Sequence, residues 1–409
     1  MEKNLIKVVL IIFLFFSVVN ASEVKLNSKR YILYNLNDNE IIDAKGEHEH
    51  SNIASLTKIM TVIVAIEHID DFNKEVTITK EMVSGIAKDV VTVGFKEGDK
   101  VTINDLLYGA LLRSGADAVN ALALLTAPSM SKFIDMMNAK VKELGLEDTH
   151  FQNVVGLYDK DNYSSAYDIA QILLYSLNNE KFKTVFTTKE YTLSNGIRVS
   201  RSVDYYNRKS KEDLSYIKGA KTGFIEEGGY SLATIATLND VDYLFVSLNA
   251  DKSPNQVLDH VKEYKYFSEN YSYQDLITTQ DKITRLKTKY SREKFVDIYY
   301  HQNVEKYLKN DFNKNDLDVV YDGIKEISYF TPKDKEIGYI IIKYNDKNID
   351  NYVVINNSNL TLDYNSLYHD YEYLFKIGEV IFSLMIWGIM SIKYKNQTNF
   401  EVDNKEIKS

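Results

Sequence analysis

The chain has 409 residues, a formal net charge of −9 and no cysteine. That length allows two or three domains with at least one large core, and an acidic chain without a basic cluster is a poor nucleic-acid binder. The missing cysteines exclude thiol nucleophiles, cysteine-ligated zinc and disulfide staples, so the core itself must hold the fold together.

Residues 1–21 read as a secretory signal peptide. Lys3 and Lys7 form the basic region, residues 8–19 the apolar core, and Val19-Asn20-Ala21 a small-residue cleavage site. Twelve apolar residues are too few to span a bilayer, which favours cleavage and a mature chain beginning near Ser22. Two short apolar-rich runs follow, residues 30–35 and 40–43, separated by Leu36-Asn37-Asp38-Asn39; this is a hairpin signal.

Next comes Asn52-Ile53-Ala54-Ser55-Leu56-Thr57-Lys58-Ile59-Met60, continued by Thr61-Val62-Ile63-Val64-Ala65-Ile66 and reaching charge only at Glu67. A helix this apolar must be buried on most sides, and a buried helix is a rigid mount. Residues three apart share a face, so Ser55 and Lys58 project together from its first turn, where the positive dipole end favours an oxyanion and disfavours an ammonium. Lowering a lysine by about 3 units from ~10.4, towards 7, requires roughly 4 kcal/mol, which burial, a second cation and the helix end supply together rather than singly. Ser-Xaa-Xaa-Lys alone recurs by chance as a helix cap plus a solvated lysine; the apolar run behind it sets this one apart.

Residues 102–113 predict a helix with a polar start, stopping at Ser114-Gly115, where a hydroxyl can point into a cleft. Asp117 opens another helix reaching Thr126, and a third begins near Ser131 with Phe133, Ile134, Met137, Val141 and Leu144 at helical spacing. From Tyr216 the period changes. Residues 216–223, 229–237 and 241–248 predict three strands, and a helix from Asn255 carries Val257, Leu258, Val261, Tyr264 and Phe267 on one face. The first strand contains Lys221-Thr222-Gly223, in which Lys221 is the second cation sought above, with Gly219 and Gly223 expected to keep the backbone clear for a ligand. An antiparallel sheet flanked by helices, with a helical block between, makes residues 22–270 an α+β domain.

Residues 275–365 alternate or run β-branched and predict a small all-β, sandwich-like domain, with Asn345-Asp346-Lys347-Asn348 as a hairpin turn. Residues 374–392 form an apolar helix about 28 Å long, enough for a membrane anchor, with Lys393 and Lys395 as inside anchors and a polar tail over 393–409. Lys376 and Glu379 are placed to pair near the outer interface. A helix lying in the interface is the competing reading. Of the seven histidines only His48 and His50 lie close together, in a hydrophilic segment that reads as a solvated loop sooner than a metal site.

The ordered motifs Ala54-Ser55-Leu56-Thr57-Lys58-Ile59-Met60, Leu111-Leu112-Arg113-Ser114-Gly115-Ala116-Asp117-Ala118 and Lys218-Gly219-Ala220-Lys221-Thr222-Gly223-Phe224, with Met137-Asn138, Leu144-Gly145-Leu146 and residues 149–157 between them, resemble a known family. It is the serine-type D-alanyl-D-alanine carboxypeptidases, the low-molecular-mass penicillin-binding proteins of the peptidase S11 family, which have a β-lactamase/transpeptidase-like fold. The resemblance implies that Ser55 is the acyl-enzyme nucleophile, Lys58 its general base and Ser114 a proton relay to the departing D-alanine. It implies that Lys221, Thr222 and Gly223 bind the substrate, with Lys221 and the Thr222 hydroxyl on its terminal carboxylate, and that the backbone N–H groups of Ser55 and Phe224 form the oxyanion hole. It further implies peptidoglycan stem peptides as substrate, β-lactams as inhibitors, no metal or cofactor, and an exported protein anchored to the outer face of the cytoplasmic membrane.

One departure stands out: the family's middle motif ends in asparagine, whereas this chain has Ala116. Asp117 points elsewhere if it starts a helix, Asn120 is one turn on, and the family's Asn-Xaa-Asn element is unclear in Asp204-Tyr205-Tyr206-Asn207. Two other readings stay open, a serine β-lactamase and a catalytically weak cell-wall binding protein. Against the β-lactamase stand the β domain, the anchor, and the lack of a Glu-Xaa-Xaa-Leu-Asn element between Ser114 and Lys221.

Overall fold

A computed structural model describes residues 24–88, 90–344 and 347–406. The signal peptide and the Asn345-Asp346 turn lie outside the described residues. The chain divides into two compact units, up to Glu269 and from Asn270.

In the first unit the two chain ends share one sheet. Its five antiparallel strands run in the spatial order Glu40–Lys45, Arg30–Asn35, Val241–Ala250, Gly229–Leu238, Ile217–Ile225. The strand carrying Lys221-Thr222-Gly223 is therefore an edge, with one side of its backbone free for an added strand. The helix Asn255–Asn270 packs by Val257, Tyr264 and Phe267, as its spacing predicts, while Leu258 and Val261 are only partly covered. It also buries polar groups that periodicity did not foresee. His260 sits between the hydroxyls of Thr234 and Ser247 at 2.8 and 3.0 Å, and burial pushes its pKa down to about 3, so it is a neutral core residue.

Ten of the twelve residues of the helix Thr57–His68 are buried. Each large apolar side chain among them contributes about 1.5–3 kcal/mol to folding, which makes this helix the pillar of the unit. Around it stand Ile103–Leu111, closed by a reciprocal Thr102–Asp105 capping box, then Ala116–Thr126 and Met130–Glu143. Two further helices, Ala166–Leu177 and Glu180–Thr187, were not anticipated. Their caps, Ser165 and Asn179, were the available signal.

Among the described residues, the second unit holds eight strands in three small sheets around Leu276, Ile298, Ile327, Ile340, Ile342 and Val354. It ends in the helix Tyr364–Glu406, which has a non-helical residue at Tyr371 and is longer than the 374–392 stretch. Its segment Tyr364–Tyr394 is long and apolar enough to cross a membrane. Lys376 pairs at 2.7 Å with Glu372 rather than with Glu379, because Glu372 lies four residues back on the same face.

Candidate active site

Ser55 does not sit in the α-helix proper. Residues Ala54–Leu56 form a 3-10 turn, and the α-helix starts at Thr57. In a 3-10 turn, residues three apart eclipse, which still stacks Lys58 on Ser55. Lys58 Nζ is hydrogen-bonded to Ser55 Oγ at 2.7 Å and donates to the Val155 carbonyl at 2.7 Å. Lys58 is 1% exposed, and burial, with no carboxylate beside it, pushes its pKa down to about 7.

Ser114 is held in the left-handed region at φ 66°, an unfavourable conformation for a residue with a Cβ. The flanking backbone fixes it there: Gly115 N donates to the Gly109 carbonyl at 3.0 Å and Ala116 N to the Val91 carbonyl at 2.9 Å. Lys221 Nζ donates to Ser114 Oγ at 2.9 Å and to the Thr222 carbonyl at 2.8 Å. Lys221 is fully buried, and its pKa is pushed well down, first by burial and then by the charge of Lys58. The charge of Lys58 thus reaches Lys221, although burial is the larger cause for Lys221 and by itself accounts for the shift of Lys58, with no share from the second cation that the sequence reading called for.

Each glycine of the third motif has a definite reason. A Cβ at Gly223 would lie 2.9 Å from the Ile53 carbonyl and 3.4 Å from Ser55 N, so only glycine lets the edge strand press against the turn that carries Ser55. That contact brings the Phe224 segment beside Ser55. Gly219 differs from expectation: a Cβ there would meet the Phe186 ring at 2.4 Å, so it makes room for the core and not for a ligand.

Ala116 is buried and presents a methyl group. Asp117 does not replace the amide. Its carboxylate accepts from the backbone N–H groups of Val93, Gly94 and Phe95 at 2.8, 2.8 and 3.0 Å, pinning that loop against the middle motif. In the unclear element, Asp204 pairs with Arg201, while Asn207 accepts from Ser210 Oγ and Glu212 N, so both are occupied by local structure.

Sequence reasoning gave no role to Asn153 and Gly156. Asn153 Oδ1 accepts from the N–H groups of Val155, Gly156 and Leu157, and its Nδ2 donates to the Leu157 carbonyl. The resulting loop aims the Val155 carbonyl at Lys58. At Gly156, with φ +89°, a Cβ would fall 1.9 Å from the Ala54 carbonyl. His48 and His50 lie 2.9 and 3.5 Å from Asp148, and no cluster of three or more metal-ligating side chains occurs among the described residues.

The site therefore joins a buried, weakly basic amine to a half-exposed hydroxyl, and a second buried amine to a second hydroxyl. That is the equipment of nucleophilic acyl transfer. A family model described as D-alanyl-D-alanine carboxypeptidase, Peptidase_S11, matches residues 17–252. The chain is 25% identical over 333 residues to the D-alanyl-D-alanine carboxypeptidase DacF of Bacillus subtilis, covering 79% of this chain and 83% of that one. It is 27% identical over 286 residues to DacD of Escherichia coli, covering 67% and 71%. Among solved structures, penicillin binding protein 5 of Haemophilus influenzae shares the fold, with TM-score 0.64, 21% identity and coverage of 83% and 99%.

Proposed function

The chain belongs to the peptidase S11 family of D-alanyl-D-alanine carboxypeptidases, and from that premise we propose that its Ser55, Lys58, Ser114 and Lys221 carry out the family's reaction. The enzyme removes the terminal D-alanine from peptidoglycan stem peptides and is acylated by β-lactams. Ser55 Oγ attacks the carbonyl between the last two residues while its proton passes to the free amine of Lys58. The peptide C–N bond then breaks, Ser114 passes a proton to the departing amine, and the stem remains as an ester on Ser55. Water hydrolyses that ester and restores the hydroxyl.

Lys221 and the Thr222 hydroxyl hold the substrate's terminal carboxylate, and the incoming anion favours the charged form of Lys221. Gly223 lets the strand approach, and the backbone N–H groups of Ser55 and Phe224 receive the developing oxyanion, each such donor being worth about 10² to 10³ in rate. Penicillin offers a carboxylate near a strained carbonyl and enters the same clamp. The cellular setting we infer is a chain exported by residues 1–21, with a catalytic domain over 22–270, a β domain over 275–365 and an anchor over 374–392 on the outer face of the membrane.

The observation that carries this reading is the pair of contacts Lys58–Ser55 and Lys221–Ser114 within one buried cluster. It is tested by incubating the full chain in detergent with a peptide ending in Lys-D-Ala-D-Ala and following free D-alanine. Release is expected from the parent and absent from Ser55→Ala; release that survives in Ser55→Ala would sink the nucleophile assignment.

A further inference from the structure

Thr222 is 4% exposed, and its hydroxyl lies 2.5 Å from Ser202 Oγ, its one side-chain partner among the described residues. A hydroxyl has a single proton to donate and two lone pairs. If Thr222 gives that proton to Ser202, it turns a lone pair towards an arriving carboxylate and repels it. If Ser202 donates instead, the Thr222 proton is left for the carboxylate. The direction of this one hydrogen bond decides whether the clamp attracts or resists an anion.

We propose that Ser202 is a positioning residue of the carboxylate clamp, donating its proton to Thr222 so that Thr222 donates to the substrate. Ser202 opens the short helix Ser202–Asn207, and the residue before it locks that helix to the catalytic strand. The Arg201 side chain, 4% exposed, donates to the Ile217 carbonyl at 2.9 Å and holds Asp204 with two hydrogen bonds at 3.2 and 3.0 Å. Ile217 and Thr222 lie on the same strand, so Arg201 and Ser202 fasten the helix to it at two points five residues apart. With both hydroxyl oxygens fixed, the free rotor of Thr222 has a defined direction left for its proton. The role falls on a position outside the three motifs, and it rests on the carboxylate-clamp reading of Lys221 and Thr222.

The test compares full-length parent, Ser202→Ala and Ser202→Thr in detergent. Acylation is followed with penicillin and with its carboxylate methyl ester, and D-alanine release with the Lys-D-Ala-D-Ala peptide. In Ser202→Ala the acylation efficiency with penicillin is expected to fall about five- to tenfold, the worth of one neutral hydrogen bond, with less than a twofold change on the ester. The peptide loss should appear in KM more than in kcat, and Ser202→Thr should restore both. Equal losses on acid and ester, no loss on either, or failure of threonine to restore the acid preference would overturn the inference while leaving the enzyme reading intact. A parent that releases no D-alanine would overturn that reading itself, and the inference with it.

Discussion

The burial of Lys58 makes a quantitative prediction for the pH dependence of acylation. Its ordinary pKa of 10.5 falls to about 7, a cost to the ammonium of roughly 5 kcal/mol. The structure accounts for this by enclosure: the amine is 1% exposed, and its two hydrogen-bond partners, a hydroxyl and a carbonyl, carry no formal charge. Only the free amine accepts the Ser55 proton, so the acylation rate should follow its population. That population is about half at pH 7, roughly 10% at pH 6 and roughly 1% at pH 5. The rate constant for acylation by a fluorescent penicillin, measured by quenched-flow gel fluorescence from pH 5 to 9, should rise about tenfold per unit and level off above pH 7–8. In Lys58→Arg the group stays charged throughout, and acylation should drop by at least 10³ at every pH. A parent profile flat from pH 5.5 to 8, or one still climbing tenfold per unit at pH 9, would refute the assignment of Lys58 as base.

Three further outcomes follow from the same geometry. Because the folded-state pKa of Lys58 lies below the unfolded value, the unfolded chain binds the extra proton between about pH 7 and 10.5, so this group makes stability rise with pH across that window. Lys58→Met should therefore melt higher than the parent at pH 7, and the gap should shrink towards pH 10; an unchanged or lower melting temperature would contradict the burial cost. Gly223→Ala should cut penicillin acylation by about 10² or more, because its Cβ pushes on the Ile53 carbonyl and moves the nucleophile turn; circular dichroism should show the fold retained. Asp117→Ala strips the acceptor from four backbone N–H groups, those of Val93, Gly94, Phe95 and Ala118, and should lower the unfolding free energy by about 3–5 kcal/mol, read by urea titration.

What the sequence revealed was what local pattern encodes. The buried helix behind Ser55, the three strands from residue 217 to 250 and the apolar helix near the C-terminus all announce themselves by period and length. Ser55, Lys58, Ser114 and Lys221 stand out in the sequence because three short motifs are separately readable, and the structure brings their side chains into two hydrogen-bonded pairs. Contacts between distant segments were not legible. Asn153 acts by folding a loop whose carbonyl, rather than its side chain, meets Lys58. Gly219 looks like a ligand-facing glycine until Phe186 is seen to occupy its space. The contact of Ser202 with Thr222 joins positions twenty residues apart, and Arg201 supports it by tying the same helix to that strand. The left-handed backbone at Ala54 and Ser114 carries no sequence signal at all, since neither residue type favours it.

That strained backbone bears on the unusual middle motif. With asparagine replaced by Ala116, no side-chain amide at that position can orient Ser114 or a substrate. The orientation of Ser114 comes instead from its surroundings: φ 66° sets its Cα–Cβ direction, and two backbone hydrogen bonds hold the adjoining residues. A Cβ on Gly115 would lie 2.5 Å from the Val93 side chain, so the loop that Asp117 pins is packed hard against the motif. Asp117 thereby holds residues 93–95 against Gly115, the neighbour of the proposed proton relay Ser114. The methyl group of Ala116 itself offers a substrate no hydrogen bond. On the proposed roles, the consequence is a division of effects: the proton relay through Ser114 should survive the loss of the amide, while binding of the stem peptide should depend more heavily on the proposed carboxylate clamp at Lys221 and Thr222.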